Sequence, residues 1–214
     1  THAHEDHLVC RLRLEKQLQC PVYCTPFAAQ ILALKLKEAG LDEQVPVKVI
    51  EVGAKFTAGP FACEFISVTH SIPEPTALLI KTRQGTVLHS GDWKIDRSPV
   101  LGQGMDEKRL RAIGGEGVDV LVCDSTNVLR EGHSPSEADV SDTIMQIVTH
   151  ATGRVAVTTF ASHVDRKRSF ATSRLSCGSC DCAARTCLTV SSALMVVNAE
   201  DVVRVRPSES TSWP

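Results

Sequence analysis

The sequence predicts an α/β layer protein. Short apolar runs of strand character alternate with segments carrying helix punctuation, and the chemically unusual residues fall where the runs end. Strands followed by helices pack as layers around one core, and sites in such sheets form at strand ends. The 214 residues are enough for one good-sized domain, or one domain and part of another. Hydrophobic residues at 43% and charged residues at 22% are ordinary for a globular chain.

The chain opens with THAHEDHL, which packs His2, His4, Asp6 and His7 into seven residues. Alternation along an extended segment points His2 and His4 the same way. Asp6 and His7 then face a second ion as the chain turns into a helix. Imidazoles and a carboxylate suit Zn²⁺ or a similar borderline ion, and two ions side by side can clamp one phosphoryl or acyl centre.

CTPFAAQILALKLKEAG follows, with Thr25 as a cap, Pro26 at the first helical position and Gly40 just past the end. Ile31, Leu32, Leu34 and Leu36 supply its buried face. Four runs then read as strands: VPVKVIEV (45–52), FACEFISVT (61–69), TALLIKT (76–82) and TVLHS (86–90). Gln84-Gly85 makes a hairpin between the last two. VDVLVCDS (118–125) reads as a buried strand with a polar tip. PSEADVSDTIMQIVTHA reads as a helix capped by Ser134 or Ser136, and GRVAVTTF (153–160) as another buried strand.

Beyond about Arg166 the texture changes to Ser, Arg and Cys, with no clear period except in SALMVVNAEDVVRV. Cys177 and Cys180 have the spacing of a zinc knuckle, but no second well-spaced pair and no histidine lies nearby. The segment reads as an irregular tail, of the kind a frame error in the coding sequence would produce.

The net charge of −2 shows no basic excess of the sort nucleic-acid binders carry, although bound divalent ions would add positive charge. No stretch approaches the roughly 18 apolar residues of a membrane span, and nothing resembles a signal peptide. Five of the nine cysteines are scattered in apolar surroundings, as reduced thiols are. A cytoplasmic chain without a membrane partner is expected.

H-x-H-x-D-H is the signature of the metallo-β-lactamase superfamily, which this chain resembles. The phrases VTHSIPEP, HSGDWKID, CDSTNV, EGHSPSE and TTFASHVDR resemble the ribonuclease J family, bacterial members of the β-CASP group of nucleic-acid hydrolases. The resemblance runs from Thr1 to about Arg168. It implies an αββα-type core over residues 1–124, the start of a β-CASP domain over 125–168, and an aberrant tail over 169–214. It implies that His2, His4 and His70 hold one Zn²⁺, and that Asp6, His7 and a bridging Asp92 hold a second. Asp6 would act in catalysis by orienting the attacking water, and Asp124 would support the metal site from behind its ligands.

The implied substrate is single-stranded RNA, cleaved by metal-assisted phosphodiester hydrolysis, with Lys94, Arg97, Lys108, Arg109 and Arg111 available along its path. Intact relatives of this kind form homo-oligomers, an assembly not expected of this chain. The early strands and late histidines of the family pattern are missing, so a fragment of weak or no activity is expected. Val9-Cys10 depart from the small residues that follow the motif. Another superfamily hydrolase, such as a thioesterase or lactonase, would share the six ligands, and a non-enzymatic product is the remaining alternative.

Overall fold

The computed structural model describes residues 1–8 and 20–150, with the strand backbone at 157–158, 189–191 and 194–196. The chain divides into two units, Thr1–Ala138 and Asp139–Pro214. In chain order the first holds β1 (Val22–Cys24), α1 (Pro26–Ala39), β2 (Val47–Val49), β3 (Lys55–Ala58), β4 (Phe61–Ser67), β5 (Thr76–Lys81), β6 (Thr86–His89), α2 (Glu107–Glu116) and β7 (Val120–Val122). Helix α3 (Glu137–His150) starts at its end.

β3 to β7 form one sheet in sequence order, antiparallel except for the parallel β6–β7 pair. Cross-strand partners share a face, so Glu64 with Leu79 and Ile66 with Ala77 look one way while Cys63 and Phe65 look the other. The first face packs on α2, where Ile66, Val68, Ala77 and Leu79 enclose Ile113. The second meets the parallel β1–β2 pair through rings: Tyr23 stacks on Phe56 at 5.2 Å, and Phe56 tilts against Phe65 at 5.0 Å. Val22 and Cys24 turn from that interface toward α1, in a core shared with Ala28, Leu32, Leu36 and Val45. The layers therefore run helix, sheet, sheet, helix, which is the αββα arrangement implied above.

α1 differs from its expected form in two details. Ala28, Leu32 and Leu36 are buried at a spacing of four, while Leu34 is 62% exposed. At about 100° per residue, position 34 lies on the far side of the helix from 32. Thr25 occupies the cap position, but its side chain makes no cap bond; the Phe27 amide donates instead to Glu74 at 2.7 Å. The C-terminal end is as expected, with Gly40 left-handed at φ 66° and its amide returning to Leu36 and Lys37.

VDVLVCDS forms only the short β7, whose Val120, Leu121 and Val122 are exposed rather than buried. It pairs with β6 on one side and with no strand on the other among the described residues, so apolar composition did not translate into burial. The expected hairpin is present, closed by Thr82: its hydroxyl accepts the amides of Gln84 and Gly85. α3 starts at Glu137, where Asp96 accepts the Glu137 amide at 2.9 Å. In the second unit, β8 (Val157–Thr158), β9 (Thr189–Ser191) and β10 (Leu194–Val196) form an antiparallel sheet in the order β8-β10-β9. β10 falls within the one stretch of the tail with a legible period. Val9-Cys10, the cysteine cluster at 177–187 and the remainder of the tail lie outside the described residues.

Glu64 is a carboxylate on the packed face of β4, and Arg109 of α2 meets it with two nitrogens at 2.7 and 2.8 Å. The same guanidinium reaches Glu116 at 2.8 Å. The Arg109 bond holds the Glu64 carboxyl below its usual 4.5. A depressed acid contributes stability above its unfolded pKa and loses it as pH falls through the folded one. Arg109→Ala leaves a buried carboxylate unpaired, so about 3 kcal/mol of stability at pH 7 is expected to be lost. Urea denaturation across pH checks this, and the variant should also lose part of the parent's acid sensitivity below pH 4.5.

Candidate metal centre

The opening segment is fastened at both ends. The Thr1 carbonyl accepts the Thr76 amide at 3.0 Å and the Thr76 hydroxyl at 2.9 Å, which lays the segment along the start of β5. Ala3 and Leu8 enter the core, so the alternating His2 and His4 emerge together on the other side. Residues 5–8 then form a helical turn, with the His7 and Leu8 amides both donating to the His4 carbonyl at 3.1 Å. That turn brings His7 round against the first pair, its ring centroid 4.1 Å from that of His2.

His70 arrives from the far end of β4 and Asp92 from the end of β6. Gly91 makes the second arrival possible. Its φ is 61°, and a Cβ there would stand 3.0 Å from both the Thr1 side chain and the Thr76 carbonyl. His89, outside both donor groups, accepts the Gly91 amide through Nδ1 at 2.9 Å and so shapes the same turn.

The six residues converge as two groups that share Asp92. One donor atom from each of His2, His4, His70 and Asp92 lies within 4.8 Å of the others, and the same holds for Asp6, His7 and Asp92. His4 Nδ1 is 3.0 Å from His2 Nε2 and 3.2 Å from His70 Nε2. Asp92 turns Oδ2 to this group, at 3.7 Å from His2 and 3.8 Å from His70. Its other oxygen, Oδ1, is 3.5 Å from His7 Nε2, whose second carboxylate neighbour is Asp6 at 3.7 Å. A tetrahedral zinc site with bonds of 2.0–2.1 Å has donor separations of about 3.3 Å. The spacing and the imidazole–carboxylate chemistry of both groups fit that requirement.

The electrostatics suit a cation as well. Burial, and then the neighbouring His7, His70 and His4, push His2 down to about 2. Burial and His4 push His70 down to about 4. Burial also lowers His4, against the pull of Asp6 and Asp92. These imidazoles are neutral at physiological pH, and a neutral imidazole offers the lone pair that a metal needs.

Asp124 stands outside both groups. Burial pushes its carboxyl up, but bonds from the Thr126 hydroxyl and amide and from the Trp93 amide bring it below the ordinary value. Through Trp93 it touches the residue beside Asp92, and the Ser90 hydroxyl accepts its own amide at 2.9 Å. Lys94 and Arg109, read as available to RNA, are committed elsewhere: Lys94 pairs with Glu137 at 2.6 Å and Asp96 at 3.4 Å, and Arg109 with Glu64. Glu74 and Asp96, which cap α1 and α3, escaped the sequence reading. Each lies four residues beyond a ligand, after His70 and Asp92, and a carboxylate inside an otherwise apolar loop phrase was the available signal.

The lowered histidines set a pH dependence. Between the folded and unfolded values the unfolded chain binds more protons, so metal-free stability rises with pH and is lost as pH falls from about 6.5. Each such group contributes a slope of up to about 1.4 kcal/mol per pH unit. Urea midpoints of the metal-free chain between pH 7 and 4 are expected to show this, and His70→Ala should flatten the slope.

The Beta-lactamase superfamily domain description matches residues 1–162 of the chain. The chain is 51% identical over 171 residues to a protein named ribonuclease J from Sinorhizobium meliloti, covering 80% of this chain and 30% of that protein. It is 40% identical over 167 residues to ribonuclease J of Helicobacter pylori, covering 78% and 24%. It thus spans under a third of the length of these relatives. A crystal structure of a protein of unknown function from Enterococcus faecalis V583 has a similar fold, with a TM-score of 0.53 at 15% identity over 71% of this chain and 39% of that one. With that match across three quarters of its length, the chain belongs to the beta-lactamase superfamily.

Proposed function

We propose that this chain carries the metal-binding part of a zinc-dependent ribonuclease that hydrolyses phosphodiester bonds of single-stranded RNA in the cytoplasm. The observation that carries the reading is the meeting of two donor groups at one shared carboxylate, Asp92. Similarity to proteins named ribonuclease J supports RNA as the substrate. Residues 1–124 form the core of the proposed site, and 125–168 the beginning of a second domain.

His2, His4 and His70 would hold one ion as neutral donors, and Asp6 and His7 the other, with Asp92 available to both. Bound there, two Zn²⁺ ions supply an activated water at neutral pH and positive charge for the phosphoryl oxygens. Asp6 is exposed at the mouth of the site, where its carboxylate can accept and orient the proton of the attacking water. Asp124 holds the Trp93 amide and thereby the turn that presents Asp92.

The test combines zinc titration with cleavage of end-labelled single-stranded RNA, with and without chelator. Zinc binding is expected, with RNA shortening that is weak at most and abolished by the chelator. His4→Ala should lower the zinc content of the first group, and Asp92→Ala that of both. The Asp92→Ala loss should exceed the roughly 10–100-fold that accompanies removal of an outer partner. Cleavage indifferent to chelator, or hydrolysis of a thioester or lactone in place of RNA, would overturn the proposal.

A further inference from the structure

We propose that Thr69 is a positioning residue for the metal centre, its hydroxyl fixing the distance between His70 and Asp92. The claim rests on the reading of those two residues as ligands. They come from different strand ends, 22 residues apart in sequence, yet their donor atoms must stay within a few tenths of an ångström of a working separation. Neither ligand holds the other: His70 Nε2 and Asp92 Oδ2 are 3.8 Å apart.

What joins their two segments is Thr69, the residue before His70, and Lys94, two residues after Asp92. They form an isolated antiparallel bridge, with the Lys94 amide donating to the Thr69 carbonyl at 2.8 Å. The Thr69 hydroxyl adds two bonds that no backbone group could make. It donates to the Lys94 carbonyl at 2.5 Å and accepts the Asp96 amide at 3.2 Å. Thr69 is 3% exposed and Asp96 5%, so water cannot replace these bonds.

The residue type follows from the geometry. One atom must both donate and accept, which a hydroxyl can do. The β-branch limits χ1 and holds that atom in place. Asp96 is then anchored in turn: its carboxylate accepts the Ser98 amide through Oδ1 and the Glu137 amide through Oδ2, each at 2.9 Å. The loop bearing Asp92 is thus tied on one side to the segment bearing His70 and on the other to the start of α3.

Thr69→Val keeps the shape and removes both hydroxyl bonds. Zinc affinity, measured for the full chain by competition with a chromophoric chelator while the chain is folded, is expected to fall about 10–100-fold, the range for lost outer partners of a metal site. Thr69→Ser keeps the hydroxyl and should stay within about threefold of the parent. If the valine variant does not fold, Thr69→Ala against Thr69→Ser makes the same comparison. Arg109→Ala, destabilised away from the site, should retain the parent's zinc affinity and so separates positioning from stability. Zinc affinity that responds to His4→Ala but not to loss of the Thr69 hydroxyl overturns the positioning role alone. Zinc affinity that ignores His4→Ala overturns the ligand assignment, and this proposal with it.

Discussion

Three neutral imidazoles and a carboxylate crowded within 4.8 Å of one another do not attract into that arrangement by themselves. His4 Nδ1 can serve only one of its two imidazole neighbours at a time as a hydrogen-bond partner, and burial has already suppressed the protonation that would pair the rings with Asp92. The surrounding chain must therefore impose the cluster. Much of the first unit reads as the means of doing so: the helical turn at 5–8, the left-handed Gly91, and the two bonds from Thr76 to the Thr1 carbonyl.

The same logic explains where the buried carboxylates went. Glu74 and Asp96 each close a ligand loop by binding a helix amide, Glu74 at α1 and Asp96 at α3. A carboxylate at a helix N-terminus is favoured by the helix dipole as well as by the hydrogen bond. Glu74 holds a positive φ of 55°, a conformation that costs a non-glycine residue energy and that the cap offsets. The His70 loop is thus fixed against α1, which the hydrophobic core has already placed, since Ile72 of that loop packs in the cluster with Leu32 and Leu36.

Charge is spent in a similar way. Arg109 and Lys94 carry structural carboxylates rather than a solvent-facing basic surface. A backbone-binding role for RNA therefore has to draw on other groups, the proposed ions among them. Asp92 contributes to both donor groups through separate oxygens, which makes its placement the most demanding of the six.

The order of ligand-type residues and the strand ends they follow could be read from the sequence, because metal chemistry restricts donor types and spacing and strand ends are marked by abrupt changes in composition. Local backbone period set His2 and His4 on one side of the H-x-H-x-D-H segment, and the turn after them returned His7 to within 4.1 Å of the His2 ring. α1 and its glycine stop, the β4–β6 runs and the hairpin were legible for the same local reasons. The tertiary structure decided what depends on partners distant in sequence. Leu34 turned outward because helix phase, not hydrophobicity, chooses the buried face, and β7 stayed exposed because burial needs a neighbour that composition cannot name. Thr25 lost its cap bond to Glu74, 49 residues away, and Arg109 and Thr69 found roles through contacts 45 and 25 residues off in sequence. A hydrogen bond is specified by where two groups finish in space, and only the packed chain brings them there.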